Sequence, residues 1–288
     1  MGTRQYTTRL QGDGFSLGTW TCSHDHRGPG PENATPCTTI NVVLRGMYVR
    51  HVGHRARVVD PTVALVSHPG DSWRSSHPHP VARGACADAG IWVFVAPRHC
   101  EDQRADRFRS LTPQAWLGWG SLLDGPSPDP ELAVALIADA LDGGLAVDRE
   151  PVQVRRARIA LAGRLADPPS LDELAAEVGG SPWHLCRTFR AVTGLTPRAY
   201  GEQLRLRHAA RRIEGGCSDL GALARELGFS SHSHFTDRFR RVFGQVPRSL
   251  RPGFPARPLG AGFPARPLGA GFLGGAPSGV PSGGTDPA

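Results

Sequence analysis

Short apolar runs separated by turn residues fill the first hundred positions. Ile40–Leu44 and Met47–His51 flank Arg45-Gly46, and Val63–Val66 and Ile91–Val95 are further runs of the same kind. Gly53, Pro61, Pro69-Gly70 and Pro78 punctuate them, so this part of the chain is predicted to be strands joined by turns. After about position 105 the period changes. Leu132, Leu136, Ile137 and Leu141 recur at helical spacing behind Asp129-Pro130, and Gly143-Gly144 ends the run. From 152 to about 250 the pattern is helical throughout.

The helical stretch contains an internal repeat. Phe189-Arg190-x-Val192-x-Gly194-x-x-Pro197-Arg198 returns as Phe239-Arg240-x-Val242-x-Gly244-x-x-Pro247-Arg248, six matches at an offset of 50. Upstream, Leu171, Leu174, Ala175, Glu177 and Gly179 match Leu220, Leu223, Ala224, Glu226 and Gly228 at an offset of 49. The slip falls between Gly179-Gly180-Ser181 and Gly228-Phe229-Ser230-Ser231, where a loop absorbs it. Inside a helix one extra residue would rotate the apolar face by about 100°.

Each copy has the parts of a helix-turn-helix. Leu171, Leu174, Ala175 and Val178 form one apolar stripe, small Ala175 admits a close second helix, and Gly179 supplies the left-handed turn. Ser181 is placed to cap the next helix with Pro182 at its first position. Leu185 and Phe189 then face inward, and Trp183, His184, Cys186, Arg187 and Arg190 include the outward positions. In the second copy Phe235 and Phe239 are the anchors, while His232, Ser233, Thr236, Asp237 and Arg240 are polar. Such a second helix suits a DNA major groove. Between the copies, Pro197 to about Glu214 reads as one helix carrying Tyr200, Leu204, Leu206, Ala209 and Ile213. Its length, about 27 Å at 1.5 Å per residue, suits a spacer between successive major-groove faces about 34 Å apart.

Charge follows the same division. Residues 1–150 hold 14 Arg against 16 Asp and Glu, whereas 151–252 hold 17 Arg against 9 acids, so one third of the chain carries the positive excess of a polyanion-binding module. The basic residues are all Arg, with no Lys. Six scattered Cys at 22, 37, 86, 100, 186 and 217 form no CxxC pair, which reads as free thiols or ligands in a reducing compartment. No apolar run is long enough to span a membrane, and MGTRQYTTRLQGDGFSLG has no secretory h-region, so a cytoplasmic location without membrane contact is expected. Residues 252–288 hold 8 Pro and 10 Gly and repeat FPARPLGAG at 254–262 and 263–271, the composition of a disordered tail.

The segments Ser181–Phe189, Gly194-x-x-Pro197 and Gly228-Phe-Ser-Ser-His-Ser-His-Phe with Phe239-Arg-Arg-Val-Phe-Gly resemble the paired helix-turn-helix domain of AraC/XylS-type transcriptional regulators, over about 155–251. The resemblance implies base contacts from Trp183, Cys186 and Arg187, then from Ser231, His232, Ser233, Thr236 and Asp237. Ser181, His184 and Ser230 complete the expected DNA-facing set, with Arg190 and Arg240 directed at phosphate. Cys186 and acidic Asp237 depart from the family's usual residues. The family also implies control of transcription, by activation or repression, with RNA polymerase as a partner, and an N-terminal domain that senses a small molecule or metal.

Ahead of this domain, Gly18-x5-His24-x-His26 fits the start of a cupin motif, with Glu32 one residue late and Pro69-Gly70 to His77 a loose second motif. The first part therefore resembles the cupin-like sensor barrels of the same family. Cys22, His24 and His26 alternate, which on a strand places them on one face. With His77 and Cys86 from a later segment they form a candidate site for zinc or another divalent metal.

The expected architecture is α+β in two domains. A cupin-like β-barrel sensor covers 1–105, and a helical connector covers 106–148, where Leu132, Leu136, Ile137 and Leu141 either pair in a homodimer or pack on the barrel. An all-α domain with two helix-turn-helix units covers 150–251 and binds double-stranded DNA, and the tail covers 252–288. The alternative from another class is a metal-dependent cupin enzyme fused to a DNA-binding domain. No Gly-rich phosphate loop, nucleophile elbow or HExxH occurs, and a non-enzyme is expected.

Overall fold

The computed structural model describes residues 4–23, 28–35, 37–78, 88–96, 107–123, 128–141 and 150–253. The chain divides into two units that part between Arg149 and Glu150. The predicted tail, apart from residues 252 and 253, lies outside the described residues, as does the predicted stop at Gly143-Gly144.

Among the described residues the first unit contains ten strands: β1 (Arg4–Gly12), β2 (Phe15–Cys22), β3 (Asn33–Ala34), β4 (Thr38–Arg45), β5 (Tyr48–Val52), β6 (Arg55–Val59), β7 (Val63–Ser67), β8 (Ser72–Ser76), β9 (Asp88–Val95) and β10 (Arg107–Ser110). They form a six-stranded sheet in the order β1-β2-β9-β4-β7-β10 and a four-stranded sheet in the order β3-β8-β5-β6. Each strand pairing is antiparallel. Gly12 pairs with Phe15, so Asp13-Gly14 closes a two-residue hairpin with Gly14 at φ 82°. At Gly46, φ 81°, the chain leaves one sheet for the other.

One core cluster joins the sheets. Trp20, Cys22, Val43, Leu65, Trp92 and Phe108 come from the six-stranded sheet, and Tyr48 and Val59 come from the smaller one. Gly90 is required here, because a Cβ would lie 2.3 Å from the Val42 carbonyl and 2.8 Å from the Trp20 ring. Among the described residues the strand pairings close neither sheet, so the barrel expected from the sequence takes the form of two antiparallel sheets.

Helices α1 (Pro113–Ser121) and α2 (Pro130–Leu141) cover this unit. Trp116 is buried and donates through its indole to the Val43 carbonyl at 3.0 Å, which fixes α1 on the sheet. Leu136 and Ile137 of α2 are buried inside the same unit, where α2 packs on α1 and β7. Of the two readings of that stripe, packing on its own domain accounts for these residues.

The second unit is helical: α3 (Val152–Gly163), α4 (Leu171–Val178), α5 (Pro182–Thr193), α6 (Pro197–Glu214), α7 (Leu220–Glu226) and α8 (His232–Phe243), followed by a 3-10 turn at Pro247–Leu250. Val154, Ala157 and Leu161 of α3 meet Leu174, Ala175 and Val178 of α4, Leu185 and Phe189 of α5, and Tyr200 and Leu204 of α6. Beneath this core Arg158 and Glu150 form a buried ion pair at 2.6 Å, and Arg158 Nε donates to the Tyr200 hydroxyl at 3.1 Å. The second half has an aromatic spine, with Phe229, Phe235, Phe239 and Phe243 in ring contact at 5.2, 5.7 and 4.5 Å.

Candidate nucleic-acid interface

The caps of the helical unit reproduce the repeat. Ser170 caps α4 in a reciprocal capping box with Glu173, and Asp219 caps α7, 49 residues later. Gly179 and Gly228, also 49 apart, follow these helices with φ of 76° and 70°. Ser181 and Ser231, now 50 apart, cap α5 and α8 by accepting from the amides of His184 at 3.3 Å and His234 at 3.0 Å. Gly194 and Gly244, again 50 apart, end those helices at φ 75° and 74°. The extra residue therefore lies in the turn of the second copy, where Phe229 is buried against Phe235. A Cβ on Gly228 would approach the Ala166 carbonyl to 2.1 Å, so this turn tolerates no side chain there.

The second helix of each copy is anchored by a buried pair four residues apart, to which α8 adds Phe243 in its last turn, and presents an open face on the other side. In α5 Leu185 and Phe189 are buried while Trp183, His184, Arg187 and Arg190 are exposed, and in α8 Phe235 and Phe239 are buried while His232, Ser233, Asp237 and Arg240 are exposed. Cys186 and Thr236 are half-buried between these faces. Trp183 is 69% exposed, an uncommon state for so large an apolar side chain, and the Arg187 guanidinium lies 4.6 Å from its ring centroid. Among the described residues neither Arg190 nor Arg240 has an ion-pair partner, whereas Arg238 of α8 is tied to Glu202 of α6. Arg212 of α6 pairs with Glu226 of α7 at 2.7 Å, and Arg205 donates to the Leu227 carbonyl at 3.3 Å. These contacts fix the second copy to the spacer helix.

In the first unit, two of the five predicted metal ligands are brought together. Cys22 ends β2, His77 follows β8, and Cys22 Sγ lies 3.7 Å from His77 Nε2. Asp88, which opens β9 opposite Cys22, accepts from His77 Nδ1 at 2.5 Å and from the Met47 amide at 3.0 Å. Burial opposes charge on the imidazole, but hydrogen bonds and nearby negative charge from Asp88 and Cys22 outweigh it and push the His77 pKa up to about 9. His24, His26 and Cys86 lie outside the described residues. Glu32, the acid of the cupin-like motif, is exposed and engaged by Ser72 and by Arg74, the latter at 3.0 Å. Among the described residues no three His, Cys, Asp or Glu side chains are grouped to hold a metal.

A family model described as a helix-turn-helix domain matches residues 174–252. The HTH-type transcriptional activator RhaS of Pectobacterium carotovorum is 40% identical over 67 residues, 23% of this chain and 24% of that protein. The right origin-binding protein of Escherichia coli is 37% identical over 98 residues, 34% of each chain. A solved AraC-type DNA-binding domain protein from Chromobacterium violaceum is 29% identical, covering 34% of this chain and 88% of that one at a TM-score of 0.33. The helical domain is of the AraC/XylS type. The chain spans only about a quarter to a third of the length of these curated relatives.

Within the AraC/XylS-type domain the two exposed helices share a frame but not a chemistry. At the offset of 50, Trp183 corresponds to Ser233, Cys186 to Thr236, Arg187 to Asp237 and Arg190 to Arg240. Of the residues expected at the interface, Ser181 and Ser231 act as caps, and Ser230 bonds to His234 at 2.9 Å, so these serine side chains are already engaged within the protein. His234 was not among the expected contacts, yet it is exposed, near the start of α8, and packs edge-on against Phe229 at 5.7 Å. The offset of 50 from His184 was the signal that identifies it.

Proposed function

We propose that this chain is a sequence-specific DNA-binding transcriptional regulator that lays α5 and α8 into successive major-groove faces of one duplex. The observation that carries this reading is the repeated pattern of exposure: two capped helices, each pinned by a buried pair four residues apart (with Phe243 in addition at the end of α8) and each presenting polar or basic side chains to solvent. Helix α6 has 18 residues, about 27 Å of rigid spacer, which supports a bipartite site read by one chain. Arg187 takes guanine through its planar fork, Trp183 lies against a thymine methyl, and Asp237 accepts from a cytosine amino group. Arg190 and Arg240 meet phosphate and set affinity.

The N-terminal β-sheet unit, read as a cupin-like sensor, answers a small molecule and changes how the DNA-binding domain is presented, a coupling of about 1–3 kcal/mol. RNA polymerase and a second copy of the chain are the further partners of this reading. Selection of bound duplexes from a random pool by the full chain tests it. Recovery of two conserved blocks about one helical turn apart is expected. Recovery of one block, or of no shared sequence, would refute it.

A further inference from the structure

We infer that the place between the two sheets where Arg4 and Arg50 meet over Trp73 binds a small organic carboxylate with a flat apolar body. The inference rests on the reading of this unit as a sensor and gives its effector a chemical class. Register places the residues. Arg4 and Tyr6 of β1 pair with Cys22 and Trp20 of β2, so these side chains share the face of the six-stranded sheet that enters the core. On the smaller sheet Arg50 of β5 pairs with Ser75 of β8 and stands two positions from the core residue Tyr48, which puts both on the inner face.

Arg4 reaches from one sheet to the other. Its guanidinium carbon lies 5.9 Å from the Trp20 ring centroid and 5.4 Å from that of Trp73, and its nitrogens donate to the Tyr6 hydroxyl at 3.4 Å and the Ser75 hydroxyl at 3.5 Å. These are long bonds to neutral groups. Among the described residues no carboxylate pairs with Arg4, and its Nε is shielded from solvent without an acceptor. Asp88 stands in the same row beyond Cys22, but its oxygens are taken by His77 and the Met47 amide. Arginine keeps its charge when buried, and such a charge costs free energy until an anion meets it. Arg50, 4% exposed, lies 4.5 Å from the same Trp73 ring. Two guanidinium groups on one indole repel each other, and an anion beside them relieves that repulsion.

Donors and walls together define the ligand. A guanidinium takes a carboxylate through two parallel N–H bonds. Trp20 is 3% exposed, and its indole N–H has no acceptor among the described residues, which makes it a second buried donor on the same face. Arg4, Tyr6 and Trp73 are half-buried at the rim, while Trp20, Arg50 and Ser75 are buried behind them. The charge is thus reached from solvent past aromatic rings, and those rings suit a flat apolar body attached to the carboxylate. Inorganic phosphate would leave the same walls without a contact.

The test uses the full chain without DNA. Calorimetric titration is run with carboxylates of graded size, from acetate to phenylacetate and indole-acetate, each beside its neutral amide, and with inorganic phosphate. An aromatic carboxylate should bind at a single site while its amide does not, and Arg4→Met should weaken it by about 10- to 100-fold through loss of a charge-assisted hydrogen bond. Circular dichroism reports whether that variant is folded, and Trp73→Ala, which leaves Arg4 in place, should weaken the same ligand. Saturable binding by no carboxylate would overturn the inference. So would equal binding of acid and amide, tighter binding of inorganic phosphate, or an affinity that folded Arg4→Met and Trp73→Ala leave unchanged. DNA affinity is then compared with and without the bound carboxylate. Binding that leaves DNA affinity unchanged would support the site while refuting the sensor reading.

Discussion

Arg187 lies over the face of Trp183, its guanidinium carbon 4.6 Å from the ring centroid, one helical turn along the exposed side of α5. The stack holds a flexible, rotamer-rich side chain in one plane before DNA arrives, and a planar fork is what bidentate guanine recognition needs. Arg187→Ala should relax base preference at one position by about 1–3 kcal/mol. Arg187→Lys should behave similarly, because it keeps the charge but loses the fork. Competition binding against single-base variants of a selected site measures both. An equal loss on specific and random DNA would remove Arg187 from base readout.

Arg190 and Arg240 occupy the same place in the two copies, directly after the buried Phe189 and Phe239. Arg240→Ala should weaken every sequence alike and lower the slope of log affinity against log salt by about 1. A salt titration on two unrelated duplexes checks this, and a change confined to one duplex would contradict it.

The caps are expected to contribute equally. Ser181→Ala and Ser231→Ala each remove one acceptor from a helix start and should each cost about 1 kcal/mol of stability, read by denaturant unfolding of the full chain. Glu173 adds a pH dependence at α4. Its pKa is held below the usual carboxylate value by the Ser170 amide and hydroxyl, with the Arg164 charge contributing. A lowered native pKa means that the cap's contribution is complete above the unfolded value of 4.5 and is lost as pH falls through the native one. Glu173→Gln should flatten that part of the acid-unfolding profile.

Glu150 and Arg158 are a different case, since both are buried and the arginine also serves Tyr200. Removing one partner leaves the other charge buried, so Glu150→Ala or Arg158→Ala should cost about 3–5 kcal/mol, whereas the pair replaced by apolar residues of similar volume should lose much less. Thermal or denaturant unfolding distinguishes the two outcomes. Single variants as stable as wild type would contradict the account of this pair.

The helical half was readable because its signals are local and duplicated. Caps, left-handed glycines and anchor residues recur at fixed offsets, and α6 begins and ends where Pro197 and Glu214 indicated. The strands without continuous apolar runs were less visible. β1 lies at a sheet edge with mostly polar, exposed side chains, so no hydrophobic pattern marks it; the Asp13-Gly14 turn was its one local signal. β2 buries Ser16 as well as Phe15, Leu17 and Trp20, which breaks the alternation that betrays a half-buried strand. The same non-locality hid Asp88. Its importance depends on strand pairing across the sheet, which sets it opposite Cys22, and no spacing motif records that.

The central claim is that one chain reads two groove faces through α5 and α8, held apart by α6. The most direct measurement inserts about five base pairs, half a helical turn, between the two blocks of a selected site and compares affinity with an insertion of about ten. The half-turn insertion should reduce binding by the full chain toward its value on random DNA, because the second block is then presented on the opposite face of the duplex. Affinity indifferent to that half-turn would contradict the account.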